Sequence, residues 1–595
     1  MVRQKGGRLL FAHELGLAIP AAEVSVALSP MAVHRMASVG RPYRVMDDLV
    51  TRPPFLFDAT EYLAAQSAWF EKLGRVIGMP DAVEVARNLF KPPMDSVVVM
   101  ASLLAATVAA TGPDSIIYAG RAGEEELNPF HRGHLQFWPL LGDRPLASRL
   151  LPLVAQSMGL PLSVVVPDET GRPAAQRSRR TARGIAAEMI GPARWAWPPP
   201  LRASASGATL FVWPAGYGIG NIVAAERRRG RRTHFIVRGR PETFVIEPGR
   251  LGRWRRTPDV ALPPPRPIPP PPEAAALLGE IDTWAGVPGA GAVLARRLGC
   301  FLDACTSVTH AADELAPRLR QLGIDEVVAT NPTTLEEFAT LLAAGREGIP
   351  RRLHQHGDHL MSYDFWLVSE TQAMERLVVT DETVPDDLRA AAARIGVSAP
   401  AFERSGQPRQ TPRLRSRPRT PRPVVCYVPA LAAGDTAAID AAYYDDAWYT
   451  RWQTSLLEKM AARTELDFVW KALPASDQAV SPVPSIIADR AIGNVRYETR
   501  PFTSVLPSVD RVIIDYPSTA LFETVDAGLP CLALFFTPFG RLRQSAATRF
   551  ARILRECRSA TDALAWVDRF LNEPDRDWIL NGSVPAETHQ ARRRR

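Results

Sequence analysis

Short apolar runs and longer amphipathic stretches alternate along most of this chain. Residues 115–119, 162–166, 208–213 and 233–237 are apolar runs of strand length, rich in β-branched and aromatic side chains. Stretches with helical periodicity, such as residues 146–158, lie between them. Strands that alternate with helices predict an α/β fold built on a parallel sheet.

The same alternation resumes after residue 423 and predicts a second α/β unit. Its strands are predicted at residues 424–428, 466–471, 495–498, 511–515 and 531–536, and its helices at 448–462, 482–492 and 562–572. The sequence therefore predicts an α/β protein with two Rossmann-like domains that face a cleft, preceded by a mostly helical N-terminal extension.

Proline-rich segments divide the chain. Residues 399–423 are rich in proline and arginine and lack apolar periodicity, which predicts an interdomain linker. A second run, residues 257–272, predicts a surface excursion within the first domain. The predicted units are a helical or irregular extension at 1–96, an N-terminal Rossmann-like domain at 97–398, the linker at 399–423, a C-terminal Rossmann-like domain at 424–581 and a basic tail at 582–595.

The composition is that of a globular protein, because 46% of the 595 residues are hydrophobic and 23% are charged. The net charge of +8 favours anionic ligands or an anionic lipid surface, although a generally arginine-rich surface explains it equally well. The five cysteines form no CxxC pair and no metal-ligand spacing, which suits a reducing compartment.

No signal peptide is recognised near the N-terminus. The longest apolar run, residues 97–111, is shorter than the roughly 20 residues that span a bilayer. We therefore expect a cytoplasmic protein, with peripheral contact at the inner face of the membrane as an option.

The segment VIIDYPSTALFETVDAGLPCLALFF, residues 512–536, predicts a strand, a polar turn, a helix and a second strand. Helix N-termini carry free N–H groups and partial positive charge, so Ser518 and Thr519 at the turn are candidates to bind phosphate. Glu523, within the first turns of the helix, is a candidate to bind a ribose or sugar hydroxyl, and Asp515 ends the strand. The alternative is that the two hydroxyl side chains only cap the helix.

Three histidines crowd the segment LHQHGDHLMSYD, residues 353–364, directly after a predicted strand. His356 is a candidate general base or phosphate ligand, and Gly357 lets the backbone approach a ligand closely. His354 and Asp358 are further candidates. No cysteine or HExxH partner supports a metal site, so no metal is expected. A polar loop without a chemical role is the alternative.

Lys471 ends the predicted strand DFVWK, where its ammonium group is placed to neutralise a phosphate in a cleft. An ordinary exposed lysine is the alternative. The segment AGYGIG, residues 215–220, follows another predicted strand. It is not GxGxxG and lacks a later acidic partner, so we interpret it as a glycine turn.

Together these motifs resemble the GT-B-type transferases of bacterial surface-carbohydrate biosynthesis, which include capsule and lipopolysaccharide glycosyltransferases and CDP-glycerol polymerases. DRVIIDYPSTALFETVDAGLPCLALFF is similar to their nucleotide-phosphate segment, and LHQHGDHLMSYD is similar to their QHG element. VWKALP is similar to their K-x-H-P element, with Leu473 where histidine is commoner. The resemblance covers roughly residues 320–570, and the N-terminal third matches only as α/β alternation.

The resemblance implies a GT-B-like fold, with the donor on the C-terminal domain and the acceptor on the N-terminal domain. It implies that Ser518 and Thr519 bind the donor phosphates and that Glu523 binds the donor's ribose or sugar. It also implies that Lys471 assists with charge and that His356 is the catalytic histidine.

We therefore expect a metal-independent glycosyltransferase that uses a nucleotide-sugar co-substrate, needs no cofactor and acts on a surface-polysaccharide or lipid-linked glycan acceptor. Three alternatives stay open: a CDP-glycerol-type polyol-phosphate transferase, a nucleotide-sugar 2-epimerase, and a non-catalytic nucleotide- or glycan-binding protein. Nucleic acid is not an expected partner, because the basic runs lack interleaved aromatic residues and no recognition module is visible.

Overall fold

The computed structural model shows an α/β protein. It describes residues 7–15, 20–52, 58–120, 146–166, 207–212, 219–236, 244–245, 255–256, 262, 265–330, 332, 334–355, 364–369, 371, 373–379, 381, 383–404, 422–430, 445–472, 481–516 and 518–580. Within these residues the strands form three sheets.

The first sheet has four parallel strands in the order β2-β1-β3-β4. Its strands are β1 Arg8–Ala12, β2 Val24–Ala27, β3 Ser115–Ala119 and β4 Leu162–Val165. The helices of this part of the chain are α1 Pro30–Ser38, α2 Thr60–Ile77, α3 Pro80–Ala86, α4 Lys91–Thr111 and α5 Ala147–Ser157.

The second sheet has eight strands in the order β12-β11-β10-β9-β5-β6-β7-β8, of which β7 and β8 are antiparallel to their neighbours. Its strands are β5 Ala208–Val212, β6 Arg232–Ile236, β7 Phe244–Val245, β8 Arg255–Arg256, β9 Ile324–Ala329, β10 Arg351–His354, β11 Arg376–Val379 and β12 Ala401–Arg404. Its helices are α6 Ile219–Arg228, α7 Pro272–Ala276, α8 Leu278–Ala285, α9 Ala295–Gln321, α10 Leu335–Arg346, α11 Asp364–Leu367 and α12 Val384–Ile395.

The third sheet has six parallel strands in the order β15-β14-β13-β16-β17-β18. Its strands are β13 Val424–Val428, β14 Asp467–Lys471, β15 Val495–Glu498, β16 Arg511–Ile514, β17 Cys531–Phe536 and β18 Leu554–Cys557. Its helices are α13 Asp446–Ala461, α14 Val483–Asp489, α15 Phe502–Val505, α16 Thr519–Asp526, α17 Gln544–Phe550 and α18 Ala560–Asn572.

The predicted fold class is confirmed, since the second and third sheets are two Rossmann-like α/β units. Residues 1–96 contain the predicted helices but also β1 and β2, which the sequence analysis missed. These strands are 5 and 4 residues long. The second partner of β1, strand β3, begins only at Ser115, so this pairing gives no local sequence signal. The boundary predicted between residues 96 and 97 falls inside α4.

The predicted linker at 399–423 begins with a strand, because β12 pairs in parallel with β11. The linker prediction was therefore wrong for Ala401–Arg404. This strand ends in two charged residues and lies at the edge of the sheet, so it lacks the apolar run of a central strand. Residues 405–421 lie outside the described part of the chain.

Strand β1 of the first sheet is buried on both faces, and each face belongs to a different core. Leu9 and Phe11 of β1 pack in a core shared with the second sheet. Leu10 and Ala12 of the same strand pack in a core shared with the third sheet. Side chains alternate between the faces of a strand, so one five-residue strand contributes to both cores. The first sheet thereby connects the two Rossmann-like units.

Part of the predicted excursion at 257–272 lies against α9, where a glycine makes the contact possible. A Cβ atom at Gly299 would overlap the carbonyl oxygen of Ile268 and lie 3.1 Å from its amide nitrogen. Only a residue without a side chain allows the two backbones to approach this closely. Pro272, the last residue of the predicted run, begins α7.

One helix of the described residues, α4, is long and apolar enough to cross a bilayer by length and composition alone. It is mostly buried and packs against α5 and α8. We therefore interpret α4 as a core helix of the protein.

Candidate functional site

The third sheet has the strand order of a Rossmann fold. The chain proceeds outward from β13 through β14 and β15, then returns to the middle and proceeds the other way through β16, β17 and β18. The order therefore reverses between β13 and β16, whose last residues Val428 and Ile514 are in register. Ligands of such sheets bind in the crevice beyond the carboxyl ends of the two central strands. This crevice is the candidate site.

Asp515, directly after β16, ties the two central strands together beneath the crevice. Its buried carboxylate accepts hydrogen bonds from the Tyr449 hydroxyl at 2.9 Å and from the Trp452 indole at 2.9 Å. It also accepts from the Ala430 amide at 2.9 Å and from the Tyr427 hydroxyl. Burial raises the pKa of Asp515 to about 6, and these hydrogen bonds oppose the rise. Asp515 therefore belongs to a buried hydrogen-bond network that supports the crevice from beneath.

The N-terminus of α16 opens onto the crevice. Ser518 is the N-cap residue in extended conformation, and its side chain makes no capping hydrogen bond. The first turn contains no acidic residue. Ser518 and Thr519 are half-buried. The alternative that Ser518 merely caps the helix is therefore not what the structure shows, and the dipole of α16 favours an anion here.

The helix after β13 differs from α16 in charge. Asp445 caps α13, accepting a hydrogen bond from the Trp448 amide at 2.8 Å, and Asp446 lies in the first turn. Burial and the nearby Asp47 raise the pKa of Asp445. These carboxylates disfavour an anion at α13. Of the two helices that begin beside the switch point, α16 is the one suited to phosphate.

Lys471, the last residue of β14, lies on the face of the sheet that α16 covers. Val469, two residues earlier on the strand, shares a core with Ile514 and with Leu521 of α16. Lys471 is buried, and its ammonium group donates to the Ala472 carbonyl. Burial lowers its pKa. Only β13 lies between β14 and β16 in the sheet, so these two strands are about 10 Å apart. Lys471 and the N-terminus of α16 therefore lie at the same edge and on the same face of the sheet.

Glu523 lies one turn into α16, on the same side of the helix as Thr519. The neighbouring residues Leu521 and Phe522 are buried in the core beneath the helix, whereas Glu523 is half-buried. Its predicted contact with a ribose or sugar stays a prediction.

His354 ends β10 of the second sheet and is uncharged at neutral pH. Burial, together with the charges of Arg352 and Arg229, lowers the pKa of His354 to about 3. Its Nε2 atom is buried and has no hydrogen-bond partner among the residues that the structure describes. The roles predicted for His356, Gly357 and Asp358 stay predictions, because these residues lie outside the described part of the chain.

The carboxyl edges of the second and third sheets face each other. Asp381 follows β11 and Arg543 follows β17, and the Arg543 Nη2 atom lies 3.5 Å from the Asp381 carboxylate. Arg543 also donates to Asp387 of α12 at 2.8 Å. The predicted cleft between the two Rossmann-like units therefore has β10, with His354, on one side and the α16 N-terminus on the other.

Residues of the N-terminal part also reach the crevice, which the sequence did not predict. The guanidinium group of Arg52 lies 4.1 Å from the centre of the Phe539 ring, three residues after β17. Arg52 is held by Asp47 at 2.7 Å. The contact between Arg52 and Phe539 joins residues almost 500 positions apart, so local sequence patterns give no signal for it.

Within the described ranges, no group of three or more histidine, cysteine, aspartate or glutamate side chains could hold a metal ion. The expectation that the protein needs no metal stays a prediction, because the histidine-rich segment lies largely outside those ranges.

No family model and no curated protein matches this sequence. Solved structures give weak likenesses. A glycosyltransferase from Rickettsia africae aligns over 63% of this chain and 92% of its own length, at 11% identity and a TM-score of 0.37. The glycotransferase of kitacinnamycin aligns over 64% of this chain and 94% of its own, at 14% identity and a TM-score of 0.34.

The UDP-GlcNAc 2-epimerase from Neisseria meningitidis, bound to UDP-GlcNAc, aligns over 47% of this chain and 76% of its own, at 13% identity and a TM-score of 0.33. All three TM-scores lie below 0.5. We therefore infer nothing about the chemistry of this chain from these likenesses.

Proposed function

We propose that this protein is a GT-B-like glycosyltransferase, which moves a sugar from a nucleotide-sugar donor to a glycan or lipid-linked acceptor. The observation that supports this most is the N-terminus of α16. Its first turn lacks acidic side chains, and it lies at the switch point of a Rossmann-ordered sheet, opposite the carboxyl edge of a second, mostly parallel sheet. Such a crevice suits a nucleotide diphosphate on one wall and a second substrate on the other.

On the donor side, the amides of the first turn of α16 and the hydroxyls of Ser518 and Thr519 would bind the diphosphate. Lys471 would add positive charge once its ammonium group leaves the Ala472 carbonyl. Glu523 would accept hydrogen bonds from ribose or sugar hydroxyls. These groups would stabilise the charge that develops on the leaving nucleotide.

On the acceptor side, His356 would act as the general base. It would take the proton from an acceptor hydroxyl, whose oxygen attacks the anomeric carbon while the nucleotide leaves with the bonding electrons. His354, two residues earlier, is neutral and would serve as a hydrogen-bonding group beside it. No metal or other cofactor takes part in this scheme.

We further propose that the product is a bacterial surface glycan, such as capsule or lipopolysaccharide. The enzyme would act in the cytoplasm, with peripheral contact at the inner face of the membrane. This part of the proposal rests on the sequence resemblance and on the net charge of +8.

A nucleotide screen tests the donor site. CMP, CDP, UDP and GDP are added separately, and the melting temperature is recorded. A ligand at 100 times its Kd stabilises the folded state by about 2.7 kcal/mol, so the matching nucleotide should raise the melting temperature clearly. Ser518→Ala should weaken that effect, whereas Ser504→Ala should not, because Ser504 is exposed and its hydroxyl donates to the nearby Pro501 carbonyl. A shift that Ser518→Ala leaves intact contradicts the site.

Product analysis with the matching donor tests the reaction. A glycoside supports the proposal, and a phosphodiester identifies a polyol-phosphate transferase instead. A free epimerised sugar identifies a 2-epimerase. Binding without turnover of any donor identifies a non-catalytic protein.

A further inference from the structure

A buried ion cluster joins the second and third sheets at their carboxyl edges. Its centre is Arg543, whose side chain is only 3% exposed. The Nη1 atom donates to the Asp387 carboxylate at 2.8 Å and to the Thr383 hydroxyl at 2.9 Å. The Nη2 atom lies 3.5 Å from the Asp381 carboxylate. One guanidinium group from the third sheet's unit thus holds three side chains of the second sheet's unit.

The carboxylate of Asp381 is fixed from both units. The Thr383 amide and hydroxyl donate to it at 3.0 and 2.9 Å, and Arg549 of α17 lies 3.3 Å away. Burial opposes the charged form of Asp381, but these hydrogen bonds and the two guanidinium groups outweigh it and lower its pKa. Asp381 therefore stays ionised and paired at neutral pH.

The cluster lies one strand away from each set of predicted functional residues. In the second sheet, β11 pairs with β10 so that Val378, three residues before Asp381, is opposite His354. In the third sheet, β17 pairs with β16, which leads to Ser518. Neighbouring strands are about 4.8 Å apart, so the cluster lies close to both walls of the crevice.

We propose that Arg543 is a positioning residue that fixes the distance between the two walls of the crevice. Moving the walls apart would break the ion pairs of Arg543 with Asp381 and Asp387 and its hydrogen bond with the Thr383 hydroxyl. The fork of a guanidinium group can hold two carboxylates at once, whereas an ammonium group cannot match that geometry.

The consequence for turnover rests on the proposed function, but the clamp itself does not. Ser518, Thr519 and Lys471 all belong to the third sheet's unit, so the donor would bind without the clamp. His354 and the segment after it belong to the second sheet's unit and would be displaced from the donor. Loss of the clamp is therefore expected to lower kcat and to spare the affinity for the donor nucleotide.

The test compares Arg543→Gln, Asp381→Asn, the double variant and Arg543→Lys in the full-length protein. Arg552→Gln is the matched control, because the Arg552 guanidinium group donates to two backbone carbonyls of its own unit, those of Asp577 and Arg576. Hydrogen exchange in residues 381–388 and 541–549, the radius of gyration by X-ray scattering, the Kd of the nucleotide found in the screen, and kcat are measured for each.

We expect faster exchange in both segments and a larger radius of gyration for Arg543→Gln, a kcat at least tenfold lower and a nucleotide Kd within twofold of the wild type. Arg543→Lys should be intermediate, and the double variant should be no worse than Arg543→Gln. An unchanged radius and unchanged exchange overturn the clamp. So does a parallel loss of nucleotide binding and kcat, because that marks general damage. Where the wild-type protein turns over no donor, the exchange and scattering results decide the clamp alone.

Discussion

Arg451 and Asp48 lie 403 residues apart in the sequence and form a bidentate ion pair, with Nη1 and Nη2 at 2.6 and 2.7 Å from the two carboxylate oxygens. Arg451 belongs to α13 of the third sheet's unit, whereas Asp48 lies between α1 and α2, in the part of the chain that contains the first sheet. Next to this pair the first and third sheets share one hydrophobic core. The pair therefore fixes the orientation of two units whose main attraction is non-directional apolar burial.

Asp48→Asn should lower the free energy of unfolding by about 1–2 kcal/mol at pH 7, because it removes a charge-assisted pair that is partly shielded from water. Burial raises the pKa of Asp48, but the bonds with Arg451 and with the Val45 amide outweigh this and lower it. A lowered folded-state pKa gives stability that is fully present above the unfolded pKa of about 3.9 and is lost progressively as the pH falls from there through the folded-state pKa. Urea unfolding of the wild type and of Asp48→Asn at pH 7 and at pH 3 measures the loss of stability at each pH.

The matched control is Asp386→Asn. Asp386 pairs with Arg389 on α12, and its side chain is 87% exposed. Exposed pairs of this kind contribute about 0–1 kcal/mol, so little change is expected at either pH. Equal losses for Asp48→Asn at pH 7 and pH 3 would show that the ion pair is not the cause.

Asp515→Asn should destabilise the protein by about 2–4 kcal/mol, because an amide NH₂ would face hydroxyl, indole and amide groups that already donate. Tyr449→Phe removes one of these donors and leaves the Trp452 indole bond in place, so about 1 kcal/mol is expected. Chemical denaturation followed by tryptophan fluorescence measures both. A loss for Asp515→Asn no larger than that for Tyr449→Phe would contradict the network.

The third sheet could be predicted almost strand by strand from the sequence. Val424–Val428 and Cys531–Phe536 are continuous apolar runs, because central parallel strands are buried on both faces. The second sheet was less predictable. Residues 365–369 are an apolar run of strand length, yet Asp364–Leu367 form a helix. Strand Arg376–Val379 was missed because it is short and begins with a charge.

The candidate site likewise contains residues that could be predicted from the sequence and residues that could not. Ser518 and Lys471 could be found because each ends or follows an apolar run, where a parallel sheet presents ligand-binding residues. Arg543 and Asp381 could not, because they meet only in three dimensions, 162 residues apart, and each resembles an ordinary surface residue in its local sequence.

Gly299→Ala should destabilise the protein by about 1–3 kcal/mol, because a methyl group there overlaps the backbone of Ile268 and forces the two segments apart. Gly279 of α8 is the control, since a Cβ atom at that position meets nothing within 4 Å. Gly279→Ala should stabilise the protein by about 0.5–1 kcal/mol through helix propensity. Thermal unfolding of both variants measures the difference, and equal effects would contradict the close contact.

Lys471→Met separates a structural from a functional role for the buried lysine. Burial already lowers the pKa of Lys471, so an apolar side chain of similar length removes a desolvation cost and should leave the melting temperature equal or higher. The affinity for the nucleotide diphosphate should fall about tenfold, or about 1.4 kcal/mol, because one cation near the phosphates is lost. Lys459→Met, which breaks a pair with Asp568 between two helices, should leave that affinity unchanged. If Lys471→Met binds the nucleotide as tightly as the wild type in a calorimetric titration, Lys471 only fills space beneath α16, and the phosphate site consists of the helix N-terminus alone.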